Sequence, residues 1–168
     1  MSAFFLSQLL IVVAICFDLA SFQFKARKQI VSCLCVAGVL ISSHFILLEK
    51  WTPAGLMMIA TIRYFTSMFT TSKSVMLIFV FCSLAVLIST YIGLVSILCF
   101  VGATFQTLAS FSKNDKKLRQ LMIIGTSFWL LHNFIINSPT AVVMEILFIT
   151  SNIVGYYRYY LAPMKSIK

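Results

Sequence analysis

Long apolar runs divided by short polar breaks constrain this chain more than any motif. The runs lie near 4–22, 29–48, 54–70, 75–90, 93–111, 121–136 and 140–160. Each approaches the ~20 residues, with ~17 as a practical minimum, that an α-helix needs to cross a bilayer. Hydrocarbon offers nothing to bond with a backbone amide, so a run in lipid must satisfy its own N–H and C=O groups as a helix. Composition agrees: 61% of residues are hydrophobic and 10% charged, against about 25% charged in a soluble domain. Mean hydropathy is +1.01. The expected fold is an all-α integral membrane protein with seven transmembrane helices. The first run lacks a basic leading segment, carries Asp18 and has no small-x-small cleavage site, which predicts a retained helix rather than a removed signal.

Seven crossings put alternate breaks on the same side. One side then collects Lys25, Arg27, Lys28, Lys73, Lys113, Lys116, Lys117, Arg119, Lys165 and Lys168, with Arg158 near a helix end. The other has Lys50 beside Glu49. Because basic loops stay in the cytoplasm, the N-terminus is expected outside and the C-terminus inside. The formal net charge of +9 is therefore a topology signal. The expected partner is the lipid bilayer, and no nucleic acid.

Polar groups inside the apolar runs ask for a reason. The densest stretch is Trp129-Leu130-Leu131-His132-Asn133-Phe134, with Pro139 following. His44-Phe45, with Pro53 following, echoes it. The histidines are 88 residues apart, the prolines 86, and Leu19-Ala20-Ser21-Phe22 recurs as Leu108-Ala109-Ser110-Phe111 after 89. These landmarks predict two parallel three-helix repeats, 1–70 and 92–162, joined by a linker helix at 71–91 and followed by a cytoplasmic tail at 163–168.

His44-Phe45 with Pro53-Ala54-Gly55 and Arg63, and Trp129-x-x-His132-Asn133-Phe134 with Glu145, Asn152 and Arg158, resemble the bacterial inner-membrane family of YgjV type over nearly the whole chain. That resemblance implies the inner membrane and carries no established activity. The three-one-three plan also resembles the SWEET sugar facilitators, the PQ-loop proteins and the PnuC vitamin transporters. In the sugar facilitators a Trp on the sixth helix and an Asn on the seventh line the substrate cavity, and by position Trp129 and Asn152 match them. The chain departs from that pattern in having no Pro-Gln dipeptide and no proline in its first or fifth helix. Homo-oligomers are common in these folds, and nothing in the sequence itself shows one here.

Read from the residues alone, Thr126, Trp129 and Asn133 fall within ~60° on the sixth helix, with His132 close by, and Glu145 and Asn152 share a face of the seventh. Arg63 lies near mid-membrane, where Glu145 is its expected ion partner and Asp18 a competitor. Interhelical hydrogen bonding is the plain alternative for His44 and His132. Chemistry of other kinds finds no footing. There is no Gly-rich phosphate loop and no nucleophile elbow. Cys33 and Cys35 diverge by ~200° on a helix, and neither a metal nor another cofactor is expected. The chain is expected to be a non-enzymatic transporter of a small polar solute through a cavity between the two units. Trp129, Asn152, His132, Asn133, Arg63 and Glu145 are its substrate-binding candidates. The competing expectation is a membrane scaffold or complex subunit in which the same groups only hold helices together.

Overall fold

The computed structural model describes residues 3–49, 51–89, 91, 93–137 and 139–162. Lys50, Lys165, Lys168 and the rest of the expected 163–168 tail lie outside them, as do the side chains at 3, 51–53 and 140. The described residues form helices and no strand. They are α1 (Ala3–Ser21), α2 (Arg27–Leu47), α3 (Trp51–Phe69), α4 (Lys73–Ser89), α5 (Leu94–Ser110), α6 (Asp115–Ile135) and α7 (Pro139–Tyr156). A single π-helical turn, Tyr157–Leu161, continues α7.

Most boundaries fall within two or three residues of the hydropathy reading. The clear exception is α6, which begins six residues before its apolar run. Asn114 caps it, its side chain accepting from the amides of Lys116 (2.9 Å) and Lys117 (3.3 Å). Asp115 adds a negative charge at the positive end of the helix dipole. A capped polar turn is still a helix, and hydropathy alone cannot register it. Pro139 opens α7, where its missing N–H would have had no intrahelical acceptor.

The distribution of polarity is the reverse of a soluble core. Phe69 is 75% exposed, Ile88 72% and Phe134 69%, whereas Ser7, Ser67, Thr107, Thr126 and Asn152 are fully buried. Water would penalise such an exterior, but an apolar solvent does not. Two helical stretches, Phe4–Ser21 and Arg27–Leu47, are long and apolar enough to cross a membrane, and Ala54–Phe69, Lys73–Ser89 and Leu94–Ser110 are shorter apolar helices.

The chain divides into two compact units, Met1–Phe69 with α1 to α3 and Thr70–Lys168 with α4 to α7. Helix α4 belongs to the second unit, where Phe79 packs on Phe111 with ring centroids 5.9 Å apart. Within the first unit α2 approaches α3 closely: a Cβ at Gly38 would stand 2.3 Å from Thr61 Oγ1. Within the second, Gly102 of α5 meets Gly125 of α6. A Cβ at Gly102 would stand 2.9 Å from Trp129 Cδ1 and 3.0 Å from the Gly125 carbonyl, and one at Gly125 would stand 2.9 Å from the Gly102 carbonyl. Small residues let these backbones touch, which is how helices associate where no hydrophobic effect drives them together.

The two units share details of geometry. His44 Nδ1 lies 2.8 Å from the Ser7 carbonyl, and His132 Nδ1 lies 3.2 Å from the Val95 carbonyl, both 37 residues back in the chain. Ser21 Oγ donates to the Asp18 carbonyl at 2.6 Å, and Ser110 Oγ to the Thr107 carbonyl at 3.0 Å. Both serines are fully buried, and so are Phe22 and Phe111, at 0% and 4% exposure. Helices α2 and α6 end alike, with Glu49 at φ 55° and Asn137 at φ 54°. That left-handed residue just beyond a helix end is a recurrent way to stop it.

The Gly102–Gly125 crossing yields a test. Gly102→Leu is expected to destabilise the protein by about 1–3 kcal/mol or more, because backbone lies on the far side of the added carbons. A Cβ at Gly55 would meet nothing within 4 Å, so Gly55→Ala should leave stability unchanged or raise it by up to about 1 kcal/mol. Thermal unfolding of the purified protein in mild detergent measures both.

Candidate functional site

Helices α6 and α7 of the second unit meet along a polar seam. Arg119, Thr126 and Asn133 follow one another at intervals of seven on α6, as do Glu145, Asn152 and Tyr159 on α7 and the turn that continues it. Seven residues turn a helix through 700°, about 20° short of two full turns, so each trio forms one stripe rising ~10 Å per step. The stripes run antiparallel and bond at matching levels. The Arg119 guanidinium lies 5.4 Å from the centre of the Tyr159 ring. Asn152 Nδ2 donates to the Arg119 carbonyl at 3.0 Å. Asn133 Nδ2 donates to Glu145 Oε1 at 3.4 Å.

Among the buried side-chain atoms without a hydrogen bond are Thr126 Oγ1 and Asn152 Oδ1 of this seam and Thr104 Oγ1 of α5. Thr126 Oγ1 and Asn152 Oδ1 are buried and make no hydrogen bond, although both residues are fully enclosed. An unsatisfied buried polar group costs about 1–3 kcal/mol. Two on one helix–helix contact are a departure from how interiors are normally built, and call for a ligand or water to complete them.

The expected site residues divide among three places. Asn133, Glu145 and Asn152 join the seam. Trp129 does not. Its indole lies against Gly102 of α5, at the glycine crossing, and its ring meets His132 edge-on, with centroids 5.5 Å apart. Asn152 bonds at the level of Arg119, ten residues and ~15 Å along α6 from Trp129, so the pair do not converge on one small molecule. His132 is tied to α5, with Nδ1 3.2 Å from the Val95 carbonyl and 3.0 Å from Cys99 Sγ. Arg63 belongs to the first unit, where it is 5% exposed and its guanidinium lies 4.6 Å from the centre of the Tyr64 ring.

Thr126 and Arg119 are legible only in part from the sequence. Thr126 shares the expected polar face of α6, but nothing in the sequence separates it from the many threonines that bond their own helix. Arg119 reads as a loop cation by hydropathy, and only the N-cap at Asn114 turns it into a helical residue facing Asn152. A second polar cluster sits at the same end. Tyr160 Oη donates to Asp115 Oδ2, Gln120 Nε2 donates to Tyr156 Oη at 3.2 Å, and Lys116 Nζ lies 6.0 Å and 5.8 Å from the centres of the Tyr156 and Tyr160 rings. Among the described residues no group of three or more His, Cys, Asp or Glu side chains could hold a metal ion.

A carbonyl can only accept, so these contacts take a proton from Nδ1, tying α2 to α1 through His44 and α6 to α5 through His132. His44→Ala and His132→Ala should therefore each lose about 1 kcal/mol of stability, the worth of one interhelical hydrogen bond in a membrane. Unfolding in mixed micelles measures this, and a loss for one histidine alone would contradict the shared role.

The comparisons with known proteins point one way. The family model for a bacterial inner membrane protein of YgjV type matches residues 5–162. The inner membrane protein YgjV of Escherichia coli (strain K12) is 25% identical over 167 residues, which cover 99% of this chain and 91% of that protein. No solved structure matches the chain. A match that runs from the first helix to the end of the last includes every element of the seam, and the chain belongs to the YgjV family of bacterial inner-membrane proteins.

Proposed function

We propose that the protein moves a small polar solute across the inner membrane, and that the α6–α7 seam is the part of the second unit that meets it. The observation that carries this reading is the pair of buried, unpartnered atoms, Thr126 Oγ1 and Asn152 Oδ1, inside a helical bundle whose exterior is apolar. A helix pair that only needed to pack in lipid would use small and apolar residues. Polar groups kept at depth are a feature of substrate and ion pathways. No covalent step enters this reading, which makes the chain a transporter and not an enzyme.

The reading includes an arrangement in the membrane. All seven helices cross it, the N-terminus is outside and the C-terminus is in the cytoplasm. Support for the crossings comes from the apolar exposed surface, and support for the orientation from the basic residues of alternate breaks. The reading also takes α1 to α3 and α5 to α7 as an internal repeat. The matched histidine bonds, buried Ser-Phe pairs and left-handed helix stops support it.

The repeat bears on function through what it does not share. Displaced by 88, the seam positions 119, 126, 133, 145 and 152 become Val31, Gly38, Phe45, Met57 and Tyr64. The first unit keeps the plan with largely apolar residues, and the polar stripe belongs to the second. One observation favours the scaffold reading instead. His44, His132 and Asn152 each bond a backbone carbonyl of a neighbouring helix, which is what groups that only hold helices together would do.

Proteoliposomes distinguish the two. Vesicles holding the protein should swell faster than empty vesicles in an osmotic panel of small polyols, amides, amino acids and nucleosides. Replacement of Asn152 by Leu should slow the responsive solute by about tenfold or more, the equivalent of about 1.4 kcal/mol. Unchanged swelling in that variant would remove Asn152 and its seam from the path, and a stable partner recovered in mild detergent would then favour the scaffold.

A further inference from the structure

We propose that Thr126 is a solute-contacting residue and that the seam selects small neutral or cationic hydrogen-bond donors over anions. This rests on the transport reading above and names the class of solute that reading leaves open.

The case for Thr126 begins with what other hydroxyls in the chain do. Thr61, Thr107 and Thr150 each donate to the carbonyl four residues back, at 2.7, 2.8 and 2.7 Å. Ser127, the next residue along α6, does the same to Ile123 at 2.8 Å. This local bond is the ordinary way a helix disposes of a hydroxyl in an apolar setting. Thr104 of α5 and Thr126 make neither that bond nor any other among the described residues, and of the two Thr126 is the one that is fully buried and lies on the seam. Its neighbour bonds its own backbone on the same turn of helix, so helix geometry there permits the bond. The hydroxyl is left available to something that occupies the seam.

The case for donors rests on the chemistry of the other seam atoms. Asn152 Nδ2 donates to the Arg119 carbonyl. Exchanging the amide's oxygen and nitrogen would set oxygen against oxygen, so that bond fixes Oδ1 as the atom turned away from Arg119. An amide oxygen only accepts. Glu145 also presents a carboxylate, one oxygen of which accepts from Asn133. Glu145 and Asn152 Oδ1 therefore offer lone pairs, Asn133 gives an N–H to Glu145, and Thr126, a hydroxyl, works in either sense. An anion brought to this stripe would face acceptors and a carboxylate. A solute with O–H or N–H groups would satisfy Asn152 Oδ1 and Thr126 Oγ1, each at its own level of the seam. The cation at the seam's end, Arg119, already lies on the Tyr159 ring.

The test compares solutes in vesicles holding the unaltered protein. Glycerol, urea and methylammonium stand for donors, and acetate and inorganic phosphate for anions. Donors should enter at least tenfold faster than anions, and Thr126→Val should slow them by about tenfold, the loss expected for one hydrogen bond to a transported group. Thr126→Ser, which restores a hydroxyl, should recover most of the rate. Anions that enter as fast as donors would overturn the selectivity while leaving transport in place. A Thr126→Val protein that folds and transports at the full rate would overturn the contact. Vesicles that admit no solute faster than empty ones would end the transport reading and this inference together. The solute comparison needs no variant, so it decides the question even where Thr126→Val fails to fold.

Discussion

Every polar group placed in lipid must find its partner inside the protein, and the structure follows from that demand. Helices satisfy the backbone, leaving the side chains and the two ends of each helix to be settled. Most side-chain hydroxyls answer by bonding their own helix. The histidines reach across, His44 to Ser7 and His132 to Val95, and tie α2 to α1 and α6 to α5. Glycines let backbones approach at Gly38 and at the Gly102–Gly125 crossing. Where these devices are complete, the interior is closed. They stop short at Thr104 Oγ1 of α5 and, twice on one helix–helix contact, at Thr126 Oγ1 and Asn152 Oδ1 of the α6–α7 seam.

The likeness between the units makes that exception easier to interpret. The first and second units use the same histidine tie, the same buried Ser-Phe ending and the same left-handed helix stop. The start of α2 is also fastened to the end of α3, and the start of α6 to the turn that continues α7, by different means. Arg27 donates to the Ser67 carbonyl in one, and Tyr160 donates to Asp115 in the other. Under the repeat proposed above, the shared devices are the framework, and the α6 stripe falls on Val31, Gly38 and Phe45 of α2, where three helices pack without it. That contrast separates framework from function here more sharply than burial or charge does.

Much of this framework is legible in the amino-acid sequence. Apolar runs locate helices because lipid leaves the backbone no alternative, and the spacing of His44 and His132 carries over directly into a shared bond. Glu145 and Asn152 share a face of α7 because helical periodicity fixes direction. What periodicity cannot fix is the neighbour a face meets. Trp129 and Asn133 lie close in angle on α6, yet the indole settles on Gly102 of α5 while the carboxamide reaches Glu145 of α7. The start of α6 is hidden for another reason. Hydropathy detects solvent preference, and Lys116, Lys117 and Arg119 prefer water whether or not they are helical. Only the cap at Asn114 shows that they are. The unpartnered atoms are beyond the reach of sequence altogether, because a missing bond depends on where every neighbour falls.

The central claim is that the α6–α7 seam is open to water and solute, and labelling at Thr126 tests it most directly. The five cysteines, Cys16, Cys33, Cys35, Cys82 and Cys99, would be replaced and a single one introduced as Thr126→Cys, with Ser112→Cys and Leu118→Cys as separate controls. A small, membrane-impermeant thiol reagent should label position 126 in intact membranes, slower than the half-buried position 112 and well above Leu118, although both positions are equally enclosed in this structure. Labelling at 126 as poor as at 118 would mean that the seam is sealed, that its leftover atoms are only a flaw in packing, and that the protein is a scaffold.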